Sequence, residues 1–416
     1  MRFLLNLRLC LLAFFLLLNV LLVCAKPGPQ AGIMDVRNIN LNDVRVPLIG
    51  EWYFFENQLI VSQNIAATAG SFAKFPQIWN ESRLPERGDG YATYALFILI
   101  PEGTKSLALE IPQIYSSYSL WANDKLVAVN GKVGRSPELT TPQWMPQTVS
   151  FENSNDTLKL VLQIANFNHF KGGSKDPIFL GSSELLQSNR SLAVTSNIIE
   201  AIGLGVITLI FLIIFLFVSR KKIILYFAFL CLTWAVRVGF SNLYVAISYW
   251  PDFNWTAMVR IEYITLFLTM IWAILFLTRA FPKEENKIFK YLLVGSNCLF
   301  ISYTLFASPV SFTQWLPLYI TFCAILLLYA AYVILRGWIN QRTGANYLSV
   351  SIFVGLMIFS YDVFTYEGLF SYNPLILGIG YVLMFSLMSM GLLLHLNIIK
   401  SKTKSITKLT YKDLYQ

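Results

Sequence analysis

The stretch WANDKLVAVNGKVG, residues 121–134, decides how the chain divides. Asn123-Asp124 and Asn130-Gly131 are pairs that tolerate the positive φ hairpin turns demand. They flank residues 126–129, a strand too short to be anything else. The same pattern extends outward on both sides. In DTLKLVLQIANF (156–167), Leu158, Leu160, Leu162 and Ile164 alternate with Thr157, Lys159, Val161 and Gln163. In KSLALEI (105–111), Leu107, Leu109 and Ile111 alternate with Ser106, Ala108 and Glu110. Period two marks a strand with one face in a core. GYATYALFILI (90–100) is apolar on both faces, as a central strand is. Turn signals recur at Gly88-Asp89-Gly90, Pro101-Glu102-Gly103 and Gly172-Gly173. Short strands at this spacing predict an all-β sandwich or jelly roll over residues 30–190.

Beyond residue 190 the pattern changes to seven apolar segments, near 195–218, 223–248, 256–280, 288–307, 315–338, 345–364 and 374–398. At 1.5 Å per residue each reaches across the ~30 Å hydrocarbon core of a bilayer. The composition agrees: 56% of residues are hydrophobic and 13% charged, against roughly 25% charged in soluble domains. The net charge of +9 does not indicate nucleic acid, because of where it lies. Residues 26–190 hold 14 Lys and Arg against 15 Asp and Glu; from 191 onward there are 16 against 8. The connections after the first, third and fifth apolar segments carry Arg220-Lys221-Lys222, then Lys283, Lys287 and Lys290, then Arg336 and Arg342. The even connections have no Lys or Arg near the membrane, which puts odd connections in the cytoplasm and the β-domain outside. Trp250, Trp255, Trp315 and Tyr372 fall at the outer boundary and Trp338 at the inner one, as aromatic belts do.

The first 25 residues, with Arg2 and Arg8 ahead of an apolar run ending at Cys24-Ala25, read as a signal peptide; an uncleaved anchor is the alternative. No cysteine falls between Ala25 and Arg190, so the exported domain relies on its own core rather than on disulfides. Residues 399–416 form a basic tail, expected in the cytoplasm on anionic headgroups or on a partner's helix.

An exported jelly roll followed by seven spans resembles the bacterial seven-transmembrane receptors with diverse intracellular signalling modules. The resemblance is carried by GDGYATYALFILIP (88–101), SLWANDKLVAVNGKVG (119–134) and LQIANFNHFKGG…PIFLG (162–181), in that order. It implies a galactose-binding-like jelly roll that binds a small ligand, a carbohydrate or carboxylate, outside the cytoplasmic membrane. It also implies spans that pass the event to a cytoplasmic histidine kinase or cyclase. Only 16 residues follow Lys400, so the output is expected from a separate partner or from a homodimer of this chain.

Within the β-domain, Trp79, Arg83, Tyr94, Trp121, Asn166, His169 and Lys171 are the candidates for ligand contact. Aromatic rings stack on flat ligand faces, and Asn, Arg and Lys donate to hydroxyls or carboxylates. The plainer alternative is that the aromatics are sandwich core. NFNHFKGG reads as a loop where the backbone approaches something closely. Within the spans, Glu200, Arg237, Arg260, Glu262 and Asp362 are charges in the outer half of the membrane. Such groups face a partner or a wet cavity. Arg237 is expected to pair with Asp362 or Glu262, and the others either join it or snorkel to the interface. Glu284-Glu285 reads as a solvated charge pair. No enzyme signature, metal cluster or cofactor motif is present in the sequence. A sensory receptor is therefore the expected function. A transporter or transporter-accessory subunit with a substrate-capturing β-domain is the alternative, although seven spans do not halve into repeats.

Overall fold

The structure, a computed structural model, describes residues 28–67, 70–82, 88–342, 344–366, 370 and 373–396. The expected signal peptide, Arg83, Tyr372 and the tail 399–416 lie outside the described residues.

Strands are numbered in chain order. The larger sheet runs β10 (Lys125–Asn130), β9 (Ser117–Ala122), β12 (Thr157–Asn166), β6 (Gly90–Leu99), β3 (Gly50–Glu56), β4 (Ser71–Phe75), with β1 (Ile33–Asp35) lying parallel to β6. The second sheet runs β11 (Gln147–Glu152), β7 (Ser106–Ile111), β14 (Phe179–Ser182), β2 (Val46–Pro47). A three-stranded patch joins β5 (Gln77–Ile78), β13 (Gly173–Ser174) and β8 (Ile114–Tyr115). The alternation read from the sequence is the packing found. Leu158, Leu160, Leu162 and Ile164 of β12 meet Leu107, Leu109 and Ile111 of β7 in one core between the two main sheets. Strand β6 is central, flanked by β12 and β3, and its outer face is covered: Ala95 packs with Val161, Phe55, Ile60 and Ile65. The hairpin β9–β10 turns at Asn123 and Asp124, whose φ values are +46° and +67°. Lys125 pairs directly with Ala122, so the loop has two residues.

Among the described residues the helical region has seven long helices: α1 (Ser183–Phe217), α2 (Lys222–Gly239), α3 (Trp255–Ala280), α4 (Lys287–Phe306), α5 (Leu316–Ile339), α6 (Ala345–Tyr366) and α7 (Pro374–His395). Short helices at Val245–Tyr249 and Pro309–Thr313 punctuate two of the connections. Packing runs from α1 to α2 to α3, which meets both α4 and α5; from α5 it continues to α6, α7 and back to α1, so the bundle closes on itself. Among the described residues, six of these helices are long and apolar enough to cross a membrane; in α6 the described apolar stretch is Ala345–Tyr361.

Three expectations change. The first long helix begins ahead of residue 190. Ser182, the last residue of β14, caps α1 directly, its side chain accepting from the Leu185 amide at 3.3 Å. The sequence 183–190 is polar and so reads as loop, yet it is the first two turns of a 35-residue helix. Those turns pack on β7, β11 and β14. Second, Trp255 is not an interfacial belt residue: it is 5% exposed, whereas Trp250 is 64% exposed. Third, Glu284 and Glu285 are not a solvated pair. Glu284 accepts from Nε and Nη2 of Arg342 at 2.9 and 2.8 Å, and Glu285 accepts from Lys290 Nζ at 3.0 Å. These bonds tie together the connections at the basic end of the bundle.

Candidate functional site at the junction of sandwich and bundle

The β-sandwich sits on the end of the bundle that lacks Lys and Arg in its connections. Three of its loops reach three different connections. Gln143 Nε2 donates to the Pro251 carbonyl at 2.7 Å, between α2 and α3. The Phe170 amide donates to Thr313 Oγ1 at 3.2 Å, between α4 and α5. Lys175 Nζ donates to the Thr365 carbonyl at 3.5 Å, at the end of α6. At the centre is Trp144, from the loop before β11. It is 1% exposed. Its ring lies 5.8 Å from Tyr244 and 5.3 Å from Trp255 on the bundle side. On the sandwich side it lies 5.9 Å from Tyr115 and 5.2 Å from His169. These rings join Met258, Val259, Tyr263 and Phe312 in a core shared by the two halves. The indole Nε1 is buried and has no hydrogen-bond partner among the described residues. A buried donor left this way costs roughly 1–3 kcal/mol.

Beside Trp144 a cleft of about 220 Å³ lies between the halves. The sandwich lends it Tyr115, His169 and Lys171, and the bundle lends it Tyr244, Glu262 and Tyr263. Tyr244 OH is 3.2 Å from Gln113 Oε1 and 3.1 Å from Glu262 Oε2. A phenol has one proton to give, so Tyr244 links a sandwich side chain to a carboxylate on α3 and satisfies one of the two at a time. Burial in this apolar environment, with the Glu262 carboxylate beside it, raises the Tyr244 pKa, so it remains a phenol.

His169 stacks on Tyr115 with ring centroids 4.6 Å apart. Burial pushes its pKa down to about 3, so the ring is neutral at ordinary pH. Its Nδ1 lies 2.9 Å from the Lys171 amide nitrogen and 3.1 Å from the Lys171 carbonyl oxygen. The loop carrying His169 is built by Asn166, whose Nδ2 donates to the carbonyls of Gly88, His169 and Lys171 at 2.7, 2.8 and 3.0 Å. The close approach signalled by Gly172-Gly173 is internal. A Cβ on Gly172 would lie 1.9 Å from the Gly88 carbonyl oxygen and 2.7 Å from the Trp79 ring.

The sequence candidates separate accordingly. His169 and Lys171 line the cleft. Trp79, Tyr94 and Asn166 have no exposed surface. Trp79 Nε1 donates to Tyr94 OH at 2.9 Å, and both rings belong to the sandwich core. Trp121 packs on the far face of the large sheet. Within the bundle, Glu262 lines the cleft. Arg237 donates to the main-chain carbonyl of Glu262 at 2.6 Å, where a bond to a carboxylate was expected. Arg260 donates to the Ala307 carbonyl at 3.3 Å. Glu200 accepts from Trp234 Nε1 at 3.2 Å. Asp362 lies on α6, and its side chain falls outside the described set. Sequence reading passed over Tyr115, Trp144 and Tyr244. For Trp144 the signal was in plain view: PQWMP (142–146) is a tryptophan between two prolines, with no strand periodicity to assign it to a sandwich core.

The fold and site define a class: a multi-helix membrane protein with a β-sandwich docked on one end of its bundle. Residues 197–394 match the family described as 7TM diverse intracellular signalling. The match falls on the helical region and is in line with the resemblance read from the sequence. No curated protein matches the chain. Among solved structures it is similar to a GH2 beta-galacturonidase from Eisenbergiella tayi, at 14% identity over 33% of this chain and 24% of that one, TM-score 0.25. A beta-glucuronidase from Faecalibacterium prausnitzii is similar at 12% identity over 33% and 31%, TM-score 0.26. Another, from Ruminococcus gnavus in complex with D-glucuronic acid, is similar at 11% identity over 33% and 29%, TM-score 0.27. The chain spans 24–31% of the length of these enzymes.

Proposed function

We propose that the protein is a sensory receptor of the bacterial cytoplasmic membrane, with the sandwich outside and the basic connections in the cytoplasm. A small extracytoplasmic ligand shifts the seating of the sandwich on the bundle, and a separate cytoplasmic partner reads the movement of the far helix ends. The family match over 197–394 carries the signalling role. The junction supports the route: the aromatic cage around Trp144, the Gln113–Tyr244–Glu262 bridge and the uninterrupted step from β14 into α1 all couple sandwich to helices. A ligand moves such an equilibrium only by its differential affinity for the two seatings, and a site shared between the halves supplies that difference.

The test is a chimera with a diguanylate cyclase joined after Leu396, its activity compared in the wild type, Trp144→Ala and Arg237→Leu backgrounds. The reading expects both substitutions to shift cyclase output at equal membrane abundance. Identical output from all three would overturn it. Substrate flux into vesicles would favour a transporter instead.

A further inference from the structure

We infer that Glu200 is a proton-binding site in the seam of α1, α2 and α7, through which pH outside the membrane regulates the receptor; the inference rests on the receptor reading above. Three helices build the site. Glu200 lies in the interior of α1 and is 5% exposed. Trp234 Nε1 on α2 donates to its Oε1 at 3.2 Å. The α7 backbone lies against the other oxygen: a Cβ placed on Gly378 would stand 3.6 Å from Oε2. The Trp234 ring is itself held on α7, its centroid 4.5 Å from that of Tyr381 and 6.2 Å from that of Phe385. One carboxyl and one indole thus tie α1 to α2 and α2 to α7.

Among the described residues the indole N–H is the one polar partner of this carboxyl, and no cation pairs with it. The charged and titratable groups of the surrounding elements lie elsewhere. On α2, Cys231 and Arg237 stand one turn to either side of Trp234, and Arg237 is held on the Glu262 carbonyl at 2.6 Å. Lys222 and Tyr226 are more than two turns away along the same helix. On α1 itself, Glu184 and Arg190 are more than two turns nearer the sandwich. On α7 the group is Tyr381; α6, which packs on α7, carries Tyr361 and Asp362. Strands β7 and β11, packed on the first turns of α1, carry Glu110 and Glu152, and the short helix Val245–Tyr249 carries Tyr249, which is 68% exposed.

An ionised carboxylate out of water with a single neutral donor is strongly disfavoured, whereas the neutral acid is far less so. The closed seam therefore holds the acid. Ionisation breaks the O–H bond, passes the proton to water and leaves a charge between three helices that must part to hydrate it. At 1.5 Å per residue Glu200 stands about 26 Å along α1 from its end at Phe217, close to the outer boundary of a ~30 Å core, so the exchange is with the outer side. The helix concerned is the one that Ser182 starts inside the sandwich, and its contact with α7 closes the bundle. The proton on Glu200 sets how tightly that helix is held.

The experiment compares the full chain in lipid nanodiscs with Glu200→Gln, which keeps the size and the acceptor oxygen. Infrared spectra of wild type minus variant should show the C=O band of one protonated carboxyl at pH 6, lost reversibly on raising the pH. Glu200→Asp keeps an acid, so its band should remain at a shifted frequency; it also serves where Glu200→Gln fails to fold. In the cyclase chimera, output should change by at least about threefold as outer pH moves from 6 to 8, and Glu200→Gln should abolish that response. No protonated-carboxyl band assignable to Glu200 at pH 6, a band that persists at every pH, or a Glu200→Gln chimera that follows outer pH as wild type does would overturn the inference. A chimera without regulated output in any background counts against the receptor reading instead, and the infrared band still decides the proton site.

Discussion

At the scale of single residues, the junction turns on two rings. Trp144 is caged by four aromatic neighbours drawn from both halves of the molecule. Trimming a buried tryptophan to alanine typically costs about 3–5 kcal/mol. Trp144→Ala should lower stability in that range in chemical denaturation, with Trp144→Phe recovering most of it. His169 gives a pH signature. Its folded pKa, about 3, lies below its ordinary value of 6.5, because burial disfavours the charged ring. The unfolded chain therefore binds a proton that the native chain does not, and stability falls as pH drops from 6.5 toward 3. The slope for one proton is about 1.4 kcal/mol per pH unit. Thermal unfolding from pH 7.5 to pH 5 should show this loss in the wild type and a shallower one in His169→Gln. Equal slopes would remove His169 as its source. The sequence made His169 and Lys171 visible as a polar cluster beside a Gly-Gly turn. It did not distinguish them from Asn166, three residues away from His169 and wholly internal. Period and spacing report which face a residue occupies, and here the difference lies in which loop rests on which helix connection.

At the scale of elements, the strands were more legible than their ends. The turn at Asn123-Asp124, the central place of β6 and the inward leucines of β12 follow from residue type and period two. The start of α1 did not follow. Hydropathy finds where a helix enters lipid, whereas Ser182 caps it three turns earlier. At 1.5 Å per residue the 35 residues of α1 run roughly 52 Å, so its first turns stand beyond a ~30 Å core and brace against β7, β11 and β14. A helix that starts inside the sandwich moves with it. Proline at Ser191, an exposed position in the interior of α1, removes a helical hydrogen bond and clashes with the preceding turn, at about 3 kcal/mol. Ser191→Pro should split the thermal unfolding of the full chain into two transitions, one per half. A single transition at the wild-type midpoint would show that the rod does not couple them.

At the scale of the whole molecule, the charge pattern that sets orientation is also the pattern that sorts the two ends of the bundle. Tyr244, Pro251, Thr313 and Thr365 touch the sandwich, while Glu284, Arg342, Glu285 and Lys290 lock the opposite end. Seven helices were legible from seven apolar runs. The Glu284–Arg342 pair predicts a local role at the basic end of the bundle. Arg342→Ala leaves Glu284 nearly buried without its cation, a loss of about 3–5 kcal/mol for a buried pair reduced by the partial exposure of Arg342. Hydrogen exchange should quicken in the connections 281–286 and 340–344 and remain unchanged at the junction.

The central claim is that sandwich and basic connections face opposite sides of one membrane. It is tested most directly by a membrane-impermeant maleimide on intact cells, with the native cysteines replaced and a single cysteine at Leu126 or at Lys221. Leu126 is 54% exposed on the sandwich, and Lys221 is exposed where α1 passes to α2. The account predicts that Leu126→Cys is labelled at once and Lys221→Cys only after permeabilisation. Labelling of both in intact cells, or of Lys221→Cys alone, would contradict it.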